Sequence, residues 1–166
     1  MLQVNIDVSD LQKAMHLLEN ELKNPANLLG QIGLALVYET EQSFRNEAGP
    51  LGKWDLLSPL TTKQRAKRGH WPGKILQVKG NLASSIQSTV SGDTVTVGAG
   101  SGSSKEYAAI HQFGGDAGRG KSVEIKARPY LPIMGKPENA KLADDALKNV
   151  LGIVEDHLLS VLNRVR

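Results

Sequence analysis

The chain has 166 residues, the size of one domain, with a formal net charge of +3 and no cysteine, which excludes disulfides, thiolate metal sites and cysteine nucleophiles and leaves stability to packing or assembly. Aromatic residues make up 4% of it, with two Trp, three Tyr and two Phe, so a core must be built mostly from Leu, Ile, Val and Ala, and many such cores are completed by partner subunits. Residues 1–7 lack the basic head and apolar run of a signal peptide and no stretch approaches the ~18 apolar residues of a membrane span, so the sequence reads as a soluble protein made in the cytoplasm, with no membrane partner.

Leu2, Val4 and Ile6 alternate with polar neighbours, the period of a short half-buried strand. A helical pattern then runs through Leu11, Met15, Leu18 and Leu22, with Asp7 or Ser9 as its cap, until Asn24-Pro25 breaks it. A second pattern through Leu28, Leu29, Ile32, Ala35, Leu36 and Phe44 carries Glu39 and Glu41 on its wetter side and ends at Gly49-Pro50. From about 49 to 80 the pattern dissolves into Pro, Gly, Thr and basic residues, with Trp54 and Trp71 embedded and room for a short helix over 61–68. Within it Lys63, Arg65, Lys67, Arg68, Lys74 and Lys79 lie between Asp55 and Asp93 with no acid among them, the main electrostatic feature of the chain.

Ile86 to Val90, the turn Ser91-Gly92-Asp93 and Val95 to Val97 read as a β-hairpin. A Gly/Ser stretch over 99–104 precedes Tyr107 to Phe113, a helical turn or a strand, which Gly114-Gly115 stops. Val123 and Ile125 alternate with Glu124 and Lys126 as a further strand, ended by Arg128-Pro129. Leu142, Ala146, Val150, Val154, Leu158 and Val161 recur at helical spacing and predict a long helix over about 138–163. The layout is α+β: a small, largely antiparallel sheet packed against two N-terminal helices and a long C-terminal helix, in a single domain over 1–166 with a long basic loop at about 49–80. So small a sheet leaves open edges, a liability unless another subunit covers them.

The basic loop carries three open readings. It is an arm that reaches over a neighbouring subunit, buries its Trp side chains and pairs with acids such as Glu39, Glu41 and Glu47; or a plain solvated connector; or a nucleic-acid contact in which cations neutralise phosphates and Trp54 or Trp71 stacks on a base. The core is expected elsewhere, so that residues 63–74 can be removed without unfolding. His111 sits in an apolar run with no nucleophile pattern around it, which points to packing rather than catalysis. The four histidines, His16, His70, His111 and His157, lack zinc-ligand spacing, and Gly98-Ala99-Gly100-Ser101-Gly102 lacks the ending of a phosphate loop. No catalytic residue, metal ligand or cofactor-binding residue is assigned. Pro129 and Pro132 hold residues 127–132 extended, and Arg128 and Tyr130 are types enriched in interface cores, making this stretch the second candidate contact. The candidate interface residues are therefore Trp54, Lys63, Arg65, Lys67, Arg68, Trp71, Arg128 and Tyr130.

A set of short segments recurs in a telling order: Gln42-Ser43-Phe44, Gly52-Lys53-Trp54, Leu56-Leu57-Ser58-Pro59-Leu60-Thr61, Lys74-Ile75-Leu76, Gly80-Asn81-Leu82 with Ser85-Ile86, Tyr107-Ala108 with His111-Gln112-Phe113-Gly114, and Ala127-Arg128-Pro129-Tyr130-Leu131. In this order and spacing, over roughly 28–131, the chain resembles the phage virion morphogenesis family, which takes in Mu-like virion morphogenesis proteins and tail completion proteins. The resemblance implies a non-enzymatic structural protein of a bacteriophage or prophage, made in the host cytoplasm and placed in the virion at the tail end or head–tail neck. It also implies a homo-oligomeric ring, hexameric as such proteins go, with tail-tube and neck or connector proteins as partners and DNA close by in its channel. The rival readings are a small DNA-binding accessory protein that uses the basic residues 63–79, and a hydrolase centred on His111.

Overall fold

The computed structural model describes residues 8–99 and 104–165. The strand expected over Leu2, Val4 and Ile6 and most of the Gly/Ser stretch lie outside them. Five helices are described: α1 (Ser9–Lys23), α2 (Ala26–Asn46), α3 (Pro59–Lys67), α4 (Lys105–Phe113) and α5 (Asp144–Leu162). Among the described residues eight short strands pair as four antiparallel two-stranded ribbons: β1 (Ala48–Gly49) with β2 (Gly52–Lys53), β3 (Ile86–Ser91) with β4 (Thr94–Ala99), β5 (Gly115–Ala117) with β6 (Val123–Ile125), and β7 (Ile133–Met134) with β8 (Lys141–Leu142). The α+β class is the one expected. Its β part is divided into short pairs, and among the described strands only β3 and β4 reach six residues each. Among the described residues no helix is long and apolar enough to cross a membrane.

The hairpin forms where the sequence places it, with a tighter turn: Ser91 pairs with Thr94 across Gly92-Asp93. Tyr107 to Phe113 resolves as helix. The C-terminal helix starts later than its pattern suggests. Pro137–Asn139 makes a 3-10 turn, Leu142 belongs to β8, and the Ala143 N–H donates to Pro132 O at 2.9 Å before α5 begins. Leu142 keeps its apolar role by packing on the core from a strand instead of a helix.

Two clusters make the core. In one, Ile32 and Leu36 of α2 meet Ala143 at the start of α5 and Ala146 within it, with Val95 and Val97 of the hairpin closing over them. α2 is thus held between α5 and the hairpin. Gly33 allows this close approach, because a Cβ there would stand 2.9 Å from Ser88 Cβ and 3.0 Å from Val95. The other cluster gathers Phe44, Trp54, Ile75, Leu82, Ala108 and Tyr130. α1 adds nothing to either: none of its residues is buried, and it meets the body through His157 of α5, whose Nε2 lies 3.0 Å from Glu21 Oε2. Ser9, expected as a cap, is its first helical residue, with Val8 in the cap position.

Candidate assembly interface

The long loop has roots and a tip, and they do different things. At the first root, Trp54 packs edge-on against Phe44, with ring centroids 5.7 Å apart, and its indole N–H donates to Pro129 O at 2.9 Å. Phe44 in turn lies 5.2 Å from the Tyr130 ring. Gly49 lets the two strands of chain meet, because a Cβ there would stand 1.9 Å from the same Pro129 oxygen. At the second root the chain returns to close the end of α2. Helix ends leave their last carbonyls without partners, and here Gln77 Nε2 donates to Phe44 O at 2.7 Å and Lys74 Nζ to Arg45 O at 2.9 Å, placing a cation at the negative end of the helix. Glu47 ends α2 in the left-handed conformation, φ 52°, and its carboxylate accepts from the Ile75 N–H. Ile75 is buried immediately beyond.

As expected, no residue of 63–74 is buried in the core. The core residues Trp54, Ile75 and Leu82 flank that stretch, and its removal takes away Lys74, which caps α2.

The 127–132 stretch is a second fastening. Both Tyr130 N–H and Leu131 N–H donate to Gln112 Oε1 at 2.9 Å, Tyr130 OH donates to Ala108 O at 3.0 Å, and Arg128 N–H donates to His111 O at 2.7 Å. The Arg128 guanidinium, 9% exposed, donates from Nε and Nη2 to Asp55 O at 3.1 and 3.0 Å. Lys126 Nζ meets the Asp55 carboxylate at 2.9 Å, and the hydrogen bond and charge of Lys126 hold Asp55 below its ordinary value. α4, the extended stretch and the loop root are therefore one hydrogen-bonded clasp.

The eight candidate residues divide accordingly. Trp54, Arg128 and Tyr130 find their partners inside the chain, at 7%, 9% and 1% exposure. Lys63, Lys67, Arg68 and Trp71 stand exposed on α3 and the tip that follows it, while half-buried Arg65 donates to Lys74 O at 2.9 Å and ties the outgoing limb to the returning one. The arm is preformed: Ser58 caps α3 by accepting from the Thr61 N–H at 3.2 Å, Pro59 follows at the first helical position, and α3 buries no residue. Glu47 is used within the chain, Glu39 accepts from Asn149 Nδ2 at 2.7 Å, and Glu41 is exposed.

Two clefts flank these elements. One, of about 770 Å³, lies between the loop, α4 and β6, is lined by apolar Leu56, Leu76 and Val123, and carries Arg65, Lys79 and Lys126. His111 opens onto it. Burial first, and the Arg128 guanidinium second, hold its imidazole below the ordinary histidine value. Its Nδ1 has no hydrogen-bond partner among the described residues, so no carboxylate orients the ring as the hydrolase reading requires. The other cleft, of about 460 Å³, runs between the second half of α2, Pro50, Met134 and the first turn of α5, where Asp144 and Asp145 join Glu39. Sequence reasoning missed this acidic cleft, since its carboxylates come from separate elements, and it missed the role of Gln112, whose only signal was a lone amide in an apolar run. Among the described residues no group of three or more His, Asp or Glu side chains is placed to hold a metal ion.

A small α+β body that fastens a basic arm by its roots and leaves the tip exposed has the build of a structural assembly protein. The comparisons name the kind: the chain belongs to the phage virion morphogenesis family, whose model matches residues 6–159, well beyond the stretch that carries the resemblance. It is 35% identical over 133 residues to protein G of Escherichia phage Mu, which bears a provisional capsid-assembly name; the match covers 78% of this chain and 82% of that protein. It is also 45% identical over 65 residues to the Mu-like prophage FluMu G protein 2 of Haemophilus influenzae, covering 39% of this chain and 44% of that protein. No solved structure matches it. The protein is thus a structural component of phage virion morphogenesis, and other virion proteins are its class of partner. The segments behind the resemblance converge in space: Phe44, Trp54, Ile75, Leu82, Ala108 and Tyr130, from six of the seven, build the second core cluster, and Leu57 of the remaining one packs against it.

Proposed function

We propose that copies of this chain close into a ring, sixfold as in the proteins it resembles, which docks at the tail end or head–tail neck between tail tube and connector and so completes the tail or joins it to the head. The surface of the free chain carries this reading. It exposes 11835 Å², where a compact monomer of 17.9 kDa exposes about 8,000 Å². The exposed part is also the wrong kind for a monomer. Leu11, Met15 and Leu22 on α1, Leu34 and Tyr38 on α2, and Leu147 and Leu151 on α5 are each 44% exposed or more, and apolar surface of this extent marks an interaction site. A subunit with two neighbours in a ring has that much surface to cover.

Light scattering on the purified protein across a range of concentrations, followed by imaging of any large species, tests the proposal. Closed rings, formed alone or on added phage tails, support it. A monomer at every concentration, with and without tails, overturns it. A second reading, contact with nucleic acid, is favoured by one observation: Lys63, Lys67, Arg68 and Lys79 are exposed and make no ion pair among the described residues. Tight binding of short duplex DNA at physiological salt, weakening steeply as salt is added, would place that reading first.

A further inference from the structure

We propose that the tip of the α3 arm of one subunit seats in the acidic cleft beside the α5 N-terminus of the next copy of this chain. The inference deepens the ring reading and rests on it, by naming the two patches that meet.

Charge selects the pair. The arm presents Lys63, Lys67 and Arg68, all exposed and without an ion pair among the described residues, beside Trp71, which is 43% exposed. The cleft of about 460 Å³ offers Glu39, Asp144 and Asp145 over an apolar lining of Pro50, Met134 and Ala143. Asp144 and Asp145 make no ion pair among the described residues, and Glu39 spends one oxygen on Asn149. Acids in the first turn of a helix suit its dipole, which accounts for the pair on α5. It does not account for Glu39, which comes from α2 and faces the same space. Gln42 lines the cleft as well, and its amide nitrogen is shielded from solvent without a hydrogen-bond partner, a donor the free chain leaves unmet.

The alternative receptacle repels the arm. The larger cleft is lined by Arg65, Lys79, Lys126 and Arg128 against one carboxylate, Glu124, so a second set of cations approaching it meets a net positive lining. Nucleic acid, for its part, would cover the arm and leave the three carboxylates of the smaller cleft uncompensated.

The geometry of assembly follows from where the two patches lie. No residue of the arm tip lines the acidic cleft, so the contact joins unlike surfaces. Such a heterologous contact repeats head to tail, and closes into a ring when the rotation from one subunit to the next divides a full turn, whereas a contact of one patch with itself stops at a dimer. An exposed Trp flanked by cations is also the side-chain set that dominates binding at interface centres.

The test is charge reversal followed by mixing, with the full chain. Lys67→Glu with Arg68→Glu alters the arm; Asp144→Lys with Asp145→Lys alters the cleft. Each variant alone is expected to lose assembly, association weakening by about tenfold or more. An equimolar mixture is expected to recover it, because every junction then joins opposite charges, and the recovered rings contain the two variants in equal number. Glu39→Lys, on a different helix, carries the same test should the α5 pair unfold; an unfolded variant cannot rescue its partner. In wild type, Trp71 emission is expected to shift to the blue on assembly, and Trp71→Phe to abolish the shift. Variants that assemble as wild type does, or a mixture no better than either variant alone, overturn the inference and leave the ring reading standing. Wild type that never assembles defeats the ring reading itself.

Discussion

Trp54 is 7% exposed and Trp71 is 43% exposed, although both belong to the same loop. The first is fixed by Phe44 and by a hydrogen bond to Pro129 O, while the second follows a helix that buries nothing. One loop therefore serves two ends. Its roots complete the core and cap α2, and this fastening lets its tip stand away from the body in a defined shape. α1 repeats the pattern, held through Glu21 and His157 with Leu11, Met15 and Leu22 turned to solvent. Substitutions should divide along the same line, those in the clasp acting on folding and those on the arms acting on assembly.

The largest effect is expected at the root. Trp54→Ala removes a buried ring, its edge contact with Phe44 and the hydrogen bond to Pro129, and should lower stability by about 3–5 kcal/mol, measured by urea unfolding followed by circular dichroism. That is a large fraction of the stability of a small domain. A loss below about 1 kcal/mol, the range of surface substitutions, would erase the distinction between root and tip.

Gln112→Ala comes next. One side-chain oxygen accepts from two backbone N–H groups, and its removal leaves the donors of Tyr130 and Leu131 unmet in the interior. The expected loss is about 2–3 kcal/mol by the same measurement. Gln112→Glu keeps an acceptor in place and should lose less wherever the carboxylate is ionised.

Tyr130→Phe tests the clasp more finely. Loss of the hydroxyl bond to Ala108 O should lower stability by about 1–2 kcal/mol near neutral pH. Burial pushes the phenol up from its ordinary value of 10.0 to about 12. The folded state therefore holds its proton more tightly than the unfolded chain does. The contribution of the phenol is fully present below pH 10 and is lost as the pH rises toward 12. In unfolding titrations across that window wild type should weaken more steeply than the Phe variant; equal slopes would show that Tyr130 is not buried as described.

How much of this was open to reading from the sequence depends on how local the signal is. The β3–β4 hairpin was legible because alternation and a glycine turn act over a few residues, and α2 and α5 because their apolar stripes are long. The division of the basic loop was not legible. Whether a Trp in a Pro/Gly-rich segment is core or surface is decided by Phe44, in the preceding helix, and by Pro129, which lies far from it in the chain, and Gly49 looks like an ordinary turn glycine until Pro129 O is seen against it. The acidic cleft was hidden for the same reason, since Glu39 and Asp144 meet only after α2 and α5 pack. The resemblance did better than periodicity here, because its ordered segments turn out to be one cluster in space. Arg128 and Tyr130 drew attention as interface types, and the same chemistry, a planar donor fork and a ring with a polar tip, serves an internal clasp equally well.

The smallest effect on stability should come from the arms, and it is the most informative. Lys67→Ala and Leu11→Ala change exposed side chains of α3 and α1, with no core contact to lose, so each should stay within about 0.5 kcal/mol of wild type in urea unfolding. Hydrogen exchange should agree, with the amides of α1 and α3 exchanging faster in the free subunit than those of α2, whose face is buried between α5 and the hairpin. If either substitution destabilises the free subunit as Gln112→Ala does, that arm belongs to the body and its exposed apolar surface needs another account. If stability holds while the mass measured by light scattering falls, the two regions are separated by experiment as they are by packing: one set of residues makes the subunit, and the other joins it to its neighbours.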